Sequence, residues 1–185
     1  YLVQQPDAQS LRVLGPEDGA DKNAFAARDI LYINKGTNAG IKAGDVFAFE
    51  QSTYPVKHPV SGKVLGTKIE PTGWGRVILV QESSASVIVE QACIDIHMGD
   101  YLKTFEKANV PLVLKRSHAD RLTPASGKVS GYVIDQAGDA TIAAEGNIVM
   151  IDIGTEAGLA PGNVLTVYRV MYPSAQTPRN MIGEL

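Results

Sequence analysis

"INKGTNAGIKAGDVFAF", from Ile33 to Phe49, sets Gly36, Gly40 and Gly44 four residues apart. The stretch can be read as a phosphate-cradling loop, a helix-packing stripe or the turns of a β fold. A phosphate loop needs G-x-x-x-x-G-K-[ST], or G-x-G-x-x-G opening a helix. Neither spacing is present, and "DVFAFE" after Gly44 alternates like a strand, with no helix N-terminus to hold an anion. A helix-packing stripe needs its glycines inside an apolar span, and Asn34, Lys35, Asn38, Lys42 and Asp45 interrupt this one.

Turns remain. Gly36 ends a strand, and Gly40 suits a positive φ that a β-branched residue resists. Ile41 is the apolar plug of the loop. Gly44 and Asp45 turn the chain into the next strand, with Asp45 accepting backbone N–H groups. The pattern apolar-x-x-Gly-[Asp/Asn]-apolar-apolar recurs in "IKAGDVF" (Ile41–Phe47), "IHMGDYL" (Ile96–Leu102) and "LAPGNVL" (Leu159–Leu165). It therefore adds Gly99, Asp100, Gly162 and Asn163 to the corner residues. One corner device used three times predicts small β-barrels, whose tight corners redirect strands.

Beyond the corners, strand signals dominate. Ile30–Ile33, Val46–Phe49, Arg76–Val80, Ser86–Glu90, Val110–Leu114, Tyr132–Ile134, Ile148–Ile151 and Val164–Tyr168 are short runs rich in β-branched or aromatic residues. No twelve-residue segment keeps helical apolar periodicity. "DGADKNAFAAR" (Asp18–Arg28) is expected to hold a helical turn or two. The fold class expected is all-β.

"ILYINKGTNAGIKAGDVFAFE" (Ile30–Glu50) aligns without gaps to "IVMIDIGTEAGLAPGNVLTVY" (Ile148–Tyr168), with 8 of 21 positions identical at an offset of 118 residues. Gly154, Gly158 and Gly162 thus repeat Gly36, Gly40 and Gly44. The offset is far longer than a solenoid or propeller repeat, so the chain reads as a duplicated domain. The expected division is an extension over 1–10, a first barrel-like repeat over 11–115, a linker over 116–127 and a second repeat over 128–185. The second repeat lacks a counterpart of Ile69–Lys103. Unpaired edges and half a core would follow. The expectation is a chain cut short by proteolysis or design, and self-association through the incomplete second repeat.

Composition bounds the rest. The 185 residues are 44% hydrophobic with a net charge of −3, enough for a core and with no basic patch for nucleic acid. No run approaches the roughly 18 apolar residues of a membrane span. The opening "YLVQQPDAQS" has neither the charge nor the apolar run of a signal peptide, and no initiator Met, so a mature chain or excised piece is expected. Cys93 is the only cysteine, which excludes an internal disulfide.

Taken whole, "ILYINKGTNAGIKAGDVFAFEQ", "HPVSGKVLGTKIEPTGWGRVILVQESSASVIVEQ" and "IHMGDYLK" resemble the C-terminal domain of the flagellar T-ring assembly protein. They are also similar to the β-rich repeats that follow LysM modules in bacterial cell-envelope proteins. In those families a "D-P-x-T-G" turn follows the Gly-Asp segment; here "HPVSG" puts His58 for Asp and Ser61 for Thr. The resemblance covers nearly all of Ile30–Lys103 and, shortened, Gly131–Leu185. It implies a periplasmic or envelope location and a non-enzymatic interaction domain without cofactor. Its partner would be an envelope protein, or peptidoglycan through a separate LysM module. The alternatives it leaves are a flagellar T-ring-type assembly component and a small-ligand or glycan-binding barrel.

Few residues suggest chemistry. His58, His97 and His118 lack second ligands at metal spacing. Cys93 in "EQACIDI" reads as a small apolar filler. Ser83, Ser84 and Ser86 read as a hairpin connection, with no G-x-S-x-G around them. Glu70, Glu82, Glu90 and Asp95 read as solvated edge charges. Trp74, between two glycines in "EPTGWGRV", is placed in an exposed turn or bulge, where it reads first as a ring folded back over the barrel end and second, with Arg76, as the candidate partner contact.

Overall fold

The computed structural model describes residues 2–3, 10–17, 19, 21–107, 129–138, 142–170 and 182–184. The expected strand Val110–Leu114, the linker and His118 lie outside the described residues. The chain divides into two compact units, Tyr1–Lys107 with Ile134–Met150, and Ala108–Val133 with Ile151–Leu185. Part of the second repeat in sequence, Ile134–Met150, thus belongs to the first unit.

The protein is all-β. The described helical residues are two 3-10 turns, Thr37–Ala39 and Thr155–Ala157. The first unit holds β1 (Leu2–Val3), β2 (Val13–Pro16), β3 (Ala24–Phe25), β4 (Ile30–Ile33), β5 (Val46–Lys57), β6 (Val64–Val80), β7 (Ala85–Ala92), β8 (Ile96–His97) and β9 (Tyr101–Thr104). Their main sheet runs β2-β4-β7-β6-β5-β9, with β1 on the outer part of β6 and β3 paired to β8. A helical turn over Asp18–Arg28 does not form among its described residues. Strand β3 occupies Ala24–Phe25, because the Phe25 side chain is drawn into the core at 1% exposure.

Period-two alternation explains the sheet. Leu31 and Ile33 of β4, Phe47 and Phe49 of β5, and Ala85, Val87 and Val89 of β7 point to one buried face. Each such side chain contributes about 1.5–3 kcal/mol by leaving water. At the two ends of the sheet path, further hydrogen bonds run between Leu11–Val13 and Gly99–Leu102. Val13 N–H donates to Asp100 O, Gly99 N–H to Val13 O and Leu102 N–H to Leu11 O, each at 2.9 Å. Arg12 and Tyr101 form an antiparallel bridge between the same segments.

Strands β5 and β6 form a long antiparallel arm, from Val46↔Arg76 out to Lys57↔Val64. Its turn is closed by His58, whose Nδ1 accepts the N–H groups of Val60 and Ser61, both at 3.2 Å. An imidazole nitrogen here does what a carboxylate oxygen does in an Asx turn. β10 (Val133–Gln136) and β11 (Val149–Ile151) form a two-stranded sheet. In the second unit β12 (Tyr168–Val170) pairs antiparallel with β13 (Ile182–Glu184).

Candidate functional site

In the first repeat the 3-10 turn is a seat for the β6–β7 hairpin. Thr37 N–H donates to Gln81 O at 2.9 Å and Asn38 N–H to Glu82 O at 3.1 Å. Gly36 permits this approach, since a Cβ there would lie 2.1 Å from Gln81 O and 2.6 Å from Ser84 O. Gly40 closes the turn at φ 81°. Ile41, which follows, is buried.

The Gly-Asp corner is a second seat. Asp45 Oδ2 accepts the Lys42 N–H at 2.9 Å, and Gly44 has φ 92°. Gly44 N–H then donates to Val77 O while Val77 N–H donates to Asp45 O. The Gly99–Asp100 corner repeats this with Val13. A further corner, Arg28–Asp29, repeats it with Val89: Ala26 N–H donates to Asp29 Oδ2 at 2.7 Å, and Arg28 N–H to Val89 O at 2.8 Å. Arg28, at φ 77°, is the one described non-glycine residue with positive φ. All three valines are buried, as are the plugs Phe25, Ile41 and Ile96. The Arg28 corner was not legible from a pattern that required glycine.

The acceptors of these corners feel different surroundings. The Lys22 ammonium, bonded to Asp29, holds that carboxyl below its ordinary pKa, helped by the Ala26 N–H and against some burial. Burial pushes Asp100 up, partly offset by the His97 N–H and charge.

The second repeat rebuilds the same backbone. Gly154 matches Gly36, with φ −148° and ψ −148° against −135° and −145°. Gly158 has φ 82° and Gly162 has φ 92°. Asn163 Oδ1 accepts the Ala160 N–H at 2.8 Å. Another corner forms at Gly146–Asn147, where Asn147 Oδ1 accepts the Ala144 N–H at 2.6 Å; the small Ala143 at its plug position concealed it in the sequence.

What differs is what lies against these turns. A Cβ on Gly154 would meet nothing within 4 Å. Among the described residues, the N–H groups of Thr155, Glu156 and Gly162 have no partner. Phe47 and Phe49 are 7% and 0% exposed, whereas their counterparts Leu165 and Val167 are 47% and 46% exposed, beside exposed Val164 and Tyr168. Residues 163–167 are not strand, although Val164–Tyr168 alternates like one. This is an uncovered apolar strip flanked by unused backbone donors.

The other candidate residues lie elsewhere. Trp74 sits inside β6 beside an irregularity in its register with β7, and its ring packs against Phe105 in a tilted arrangement with centroids 5.5 Å apart. Gly73 and Gly75 flank it because a Cβ would strike the carbonyls of Gln91 and Ile88 at 2.1 and 2.6 Å. Arg76 bonds Glu90 at 2.7 Å and reaches Gly44 O at 3.3 Å, tying the corner to the hairpin. Ser83 and Ser84 fall in the β6–β7 connection, whereas Ser86 is buried in β7. Cys93 is exposed, not a core filler, since its N–H bond to Thr72 O turns the chain outward past β7.

A charged cluster absent from the sequence reading surrounds Lys68, which is 1% exposed. Its Nζ lies 2.9 Å from Glu70 and 3.6 Å from Asp135, and donates to Tyr54 Oη and Gly138 O. Burial alone would lower the Lys68 pKa. The bonds to Glu70 and Tyr54, with the charges of Asp135 and Glu70, outweigh it and hold the pKa above the ordinary lysine value. Lys68 is thus a fixed cation, the opposite of a nucleophilic lysine, which needs a depressed pKa. Two of the partners, Asp135 and Gly138, are 67 and 70 residues away in the chain, a distance at which spacing carries no signal.

An open concavity of about 280 Å³ is lined by Pro16, Glu17, Lys22, Phe25, Arg28, Asp29 and Ile30. Among the described residues no three His, Cys, Asp or Glu side chains are grouped to hold a metal ion. No described helix is long and apolar enough to cross a membrane. No protein-family model matches the chain, and no curated protein or solved structure matches it.

Proposed function

We propose that this chain is a non-enzymatic interaction module of a bacterial cell-envelope protein, acting outside the cytoplasm beside a separate peptidoglycan-binding LysM module. In this reading the first repeat is a small closed barrel that serves as a rigid mount. The hydrogen bonds between Leu11–Val13 and Gly99–Leu102, which link β2 to β9, support closure. A closed sheet has no free edge, so binding falls to the second repeat.

The observation that carries the reading is the exposed strip Val164–Tyr168, which follows a turn close in backbone geometry to one that is covered in the first repeat. Exposed apolar strips of this kind mark interaction surfaces. The glycine-rich motifs and the "HPVSG" turn support the envelope assignment through their resemblance to LysM-linked repeats.

A photoreactive residue at position 165, introduced into the protein inside a bacterial cell that makes it, tests both parts. The expected result is a discrete protein adduct in the periplasmic or envelope fraction, with none from the same probe at exposed Ile78 of β6. A cytoplasmic protein, or no adduct at 165, would overturn the proposal.

A further inference from the structure

The Lys68 ammonium has three protons, and each has an acceptor: Glu70 Oε1 at 2.9 Å, Gly138 O at 3.0 Å and Tyr54 Oη at 3.1 Å. The Tyr54 hydroxyl passes the interaction on by donating to Asp135 Oδ1 at 3.0 Å. Glu70 Oε1 also accepts the Gly138 N–H at 2.9 Å. Lys68, Tyr54 and Glu70 belong to the outer part of β5 and β6, whereas Asp135 and Gly138 belong to β10 and the bend after it. The arm therefore grips Gly138 by both backbone groups and Asp135 by its side chain.

Other means of attachment are lacking among the described residues of this stretch. The strand paired with β10 is β11, not a strand of the main sheet. No apolar side chain described between Ile134 and Met150 is buried, and Ile142 and Ile148 are exposed. The joint is thus made of charge and hydrogen bonds, with the Glu70 and Asp135 side chains only 14% and 12% exposed. Such a network differs from an apolar contact in how it fails. An apolar contact weakens by degrees, whereas losing one member of a shielded ion network leaves the rest uncompensated.

We propose that Tyr54, Lys68 and Glu70 form a latch that holds Asp135–Gly138 on the β5–β6 arm by this one joint, and that the stretch opens without disturbing the main sheet. The proposal goes beyond the interaction-module reading and does not rest on it. Opening of this kind is local unfolding, which proceeds at a lower free energy than unfolding of the whole unit. The core amides of Val77 and Val89, bonded to Asp45 O and Asp29 O, belong to the part that stays closed.

Amide hydrogen exchange on the 185-residue chain, read residue by residue, tests the latch. In the parent, the Gly138 amide is expected to be protected, but less than those of Val77 and Val89. Lys68→Met is expected to speed exchange at Gly138 about tenfold or more, with Val77 and Val89 unchanged. Lys68 lies buried in β6, so Asp135→Ala, outside the main sheet, is the deciding variant. It is expected to speed exchange at Gly138 alone. An unprotected Gly138 in the parent would overturn the latch, as would a parent-like rate at Gly138 in either variant. Acceleration at Val77 and Val89 in step with Gly138 in Asp135→Ala would overturn it too, by making the cluster part of the fold's common stability.

Discussion

Ile30–Glu50 and Ile148–Tyr168 are two copies of one instruction with different outcomes. Both form the 3-10 turn, the left-handed glycines and the side-chain-capped corner, and their dihedral angles agree closely. Only the first buries its following strand, with Phe49 at 0% exposure against 46% for Val167. Local sequence specifies the turns, since glycine and an Asp or Asn acceptor suffice for them. In the first repeat burial comes from β6 and β7, which lie beyond the turn and its strand in the chain. A shared glycine and acceptor pattern therefore predicts a shared turn, but neither the strand after it nor its burial.

Paired substitutions break or sharpen this comparison. The largest contrast is expected from Phe49→Ala against Val167→Ala. The first leaves a cavity in a packed core and should cost about 3–5 kcal/mol, the second less than about 0.5 kcal/mol as an exposed change. Urea denaturation reads both, and a comparable loss from Val167→Ala would mean that the strip is covered in the free protein.

Next comes Gly36→Ala against Gly154→Ala. A methyl at 36 meets backbone at 2.1 Å and should cost about 2–3 kcal/mol through forced displacement of the hairpin. At 154 the same methyl meets nothing, and the thermal midpoint should not move. Equal effects at both sites would erase the distinction between a docked turn and an undocked one.

The smallest effect concerns the corner acceptors. Burial raises the Asp100 carboxyl above its ordinary 3.8. The folded protein therefore holds that proton more tightly than the unfolded chain. Its contribution is fully present below pH 3.8 and is lost as pH rises through the raised folded value. Asp100→Asn keeps the acceptor oxygen, as Asn147 and Asn163 do in their own corners. The variant should gain on the parent above that pH by less than about 1 kcal/mol. Asn163→Asp, on an exposed corner, should leave the stability–pH curve unchanged. A flat difference between Asp100→Asn and the parent across pH 3 to 7, read as roughly the carboxylate range, would contradict the burial of that acid.

The sequence reveals the repeat and the strands β4, β5, β7 and β11 because alternation and glycine spacing are local properties. It conceals the outer arm, Ser52–Lys57 with Val64–Ile69, because "STYPVK" is polar and interrupted by Pro55. It conceals the Lys68 cluster because Asp135 and Gly138 reach the cation and its near neighbour Glu70 only after the chain has folded. Trp74 drew notice as a lone tryptophan, yet its glycine neighbours answer to strand crossing rather than exposure. The uncovered strip was foreseeable as a missing half-core, whereas the unused donors at Thr155, Glu156 and Gly162 needed the first repeat's geometry as their template.

Arg28 carries a consequence for how such corners are inherited. It holds a left-handed conformation that the corresponding positions of the other four corners give to glycine, at a cost of about 1 kcal/mol, and its corner still docks on Val89. The residue that never drops out is the oxygen-bearing one: Asp29, Asp45, Asp100, Asn147 and Asn163. Glycine is the comfortable option at this position, and the acceptor is the grammar. A lineage can therefore lose its glycines one by one and keep the fold, becoming unrecognisable by motif while its architecture stays intact.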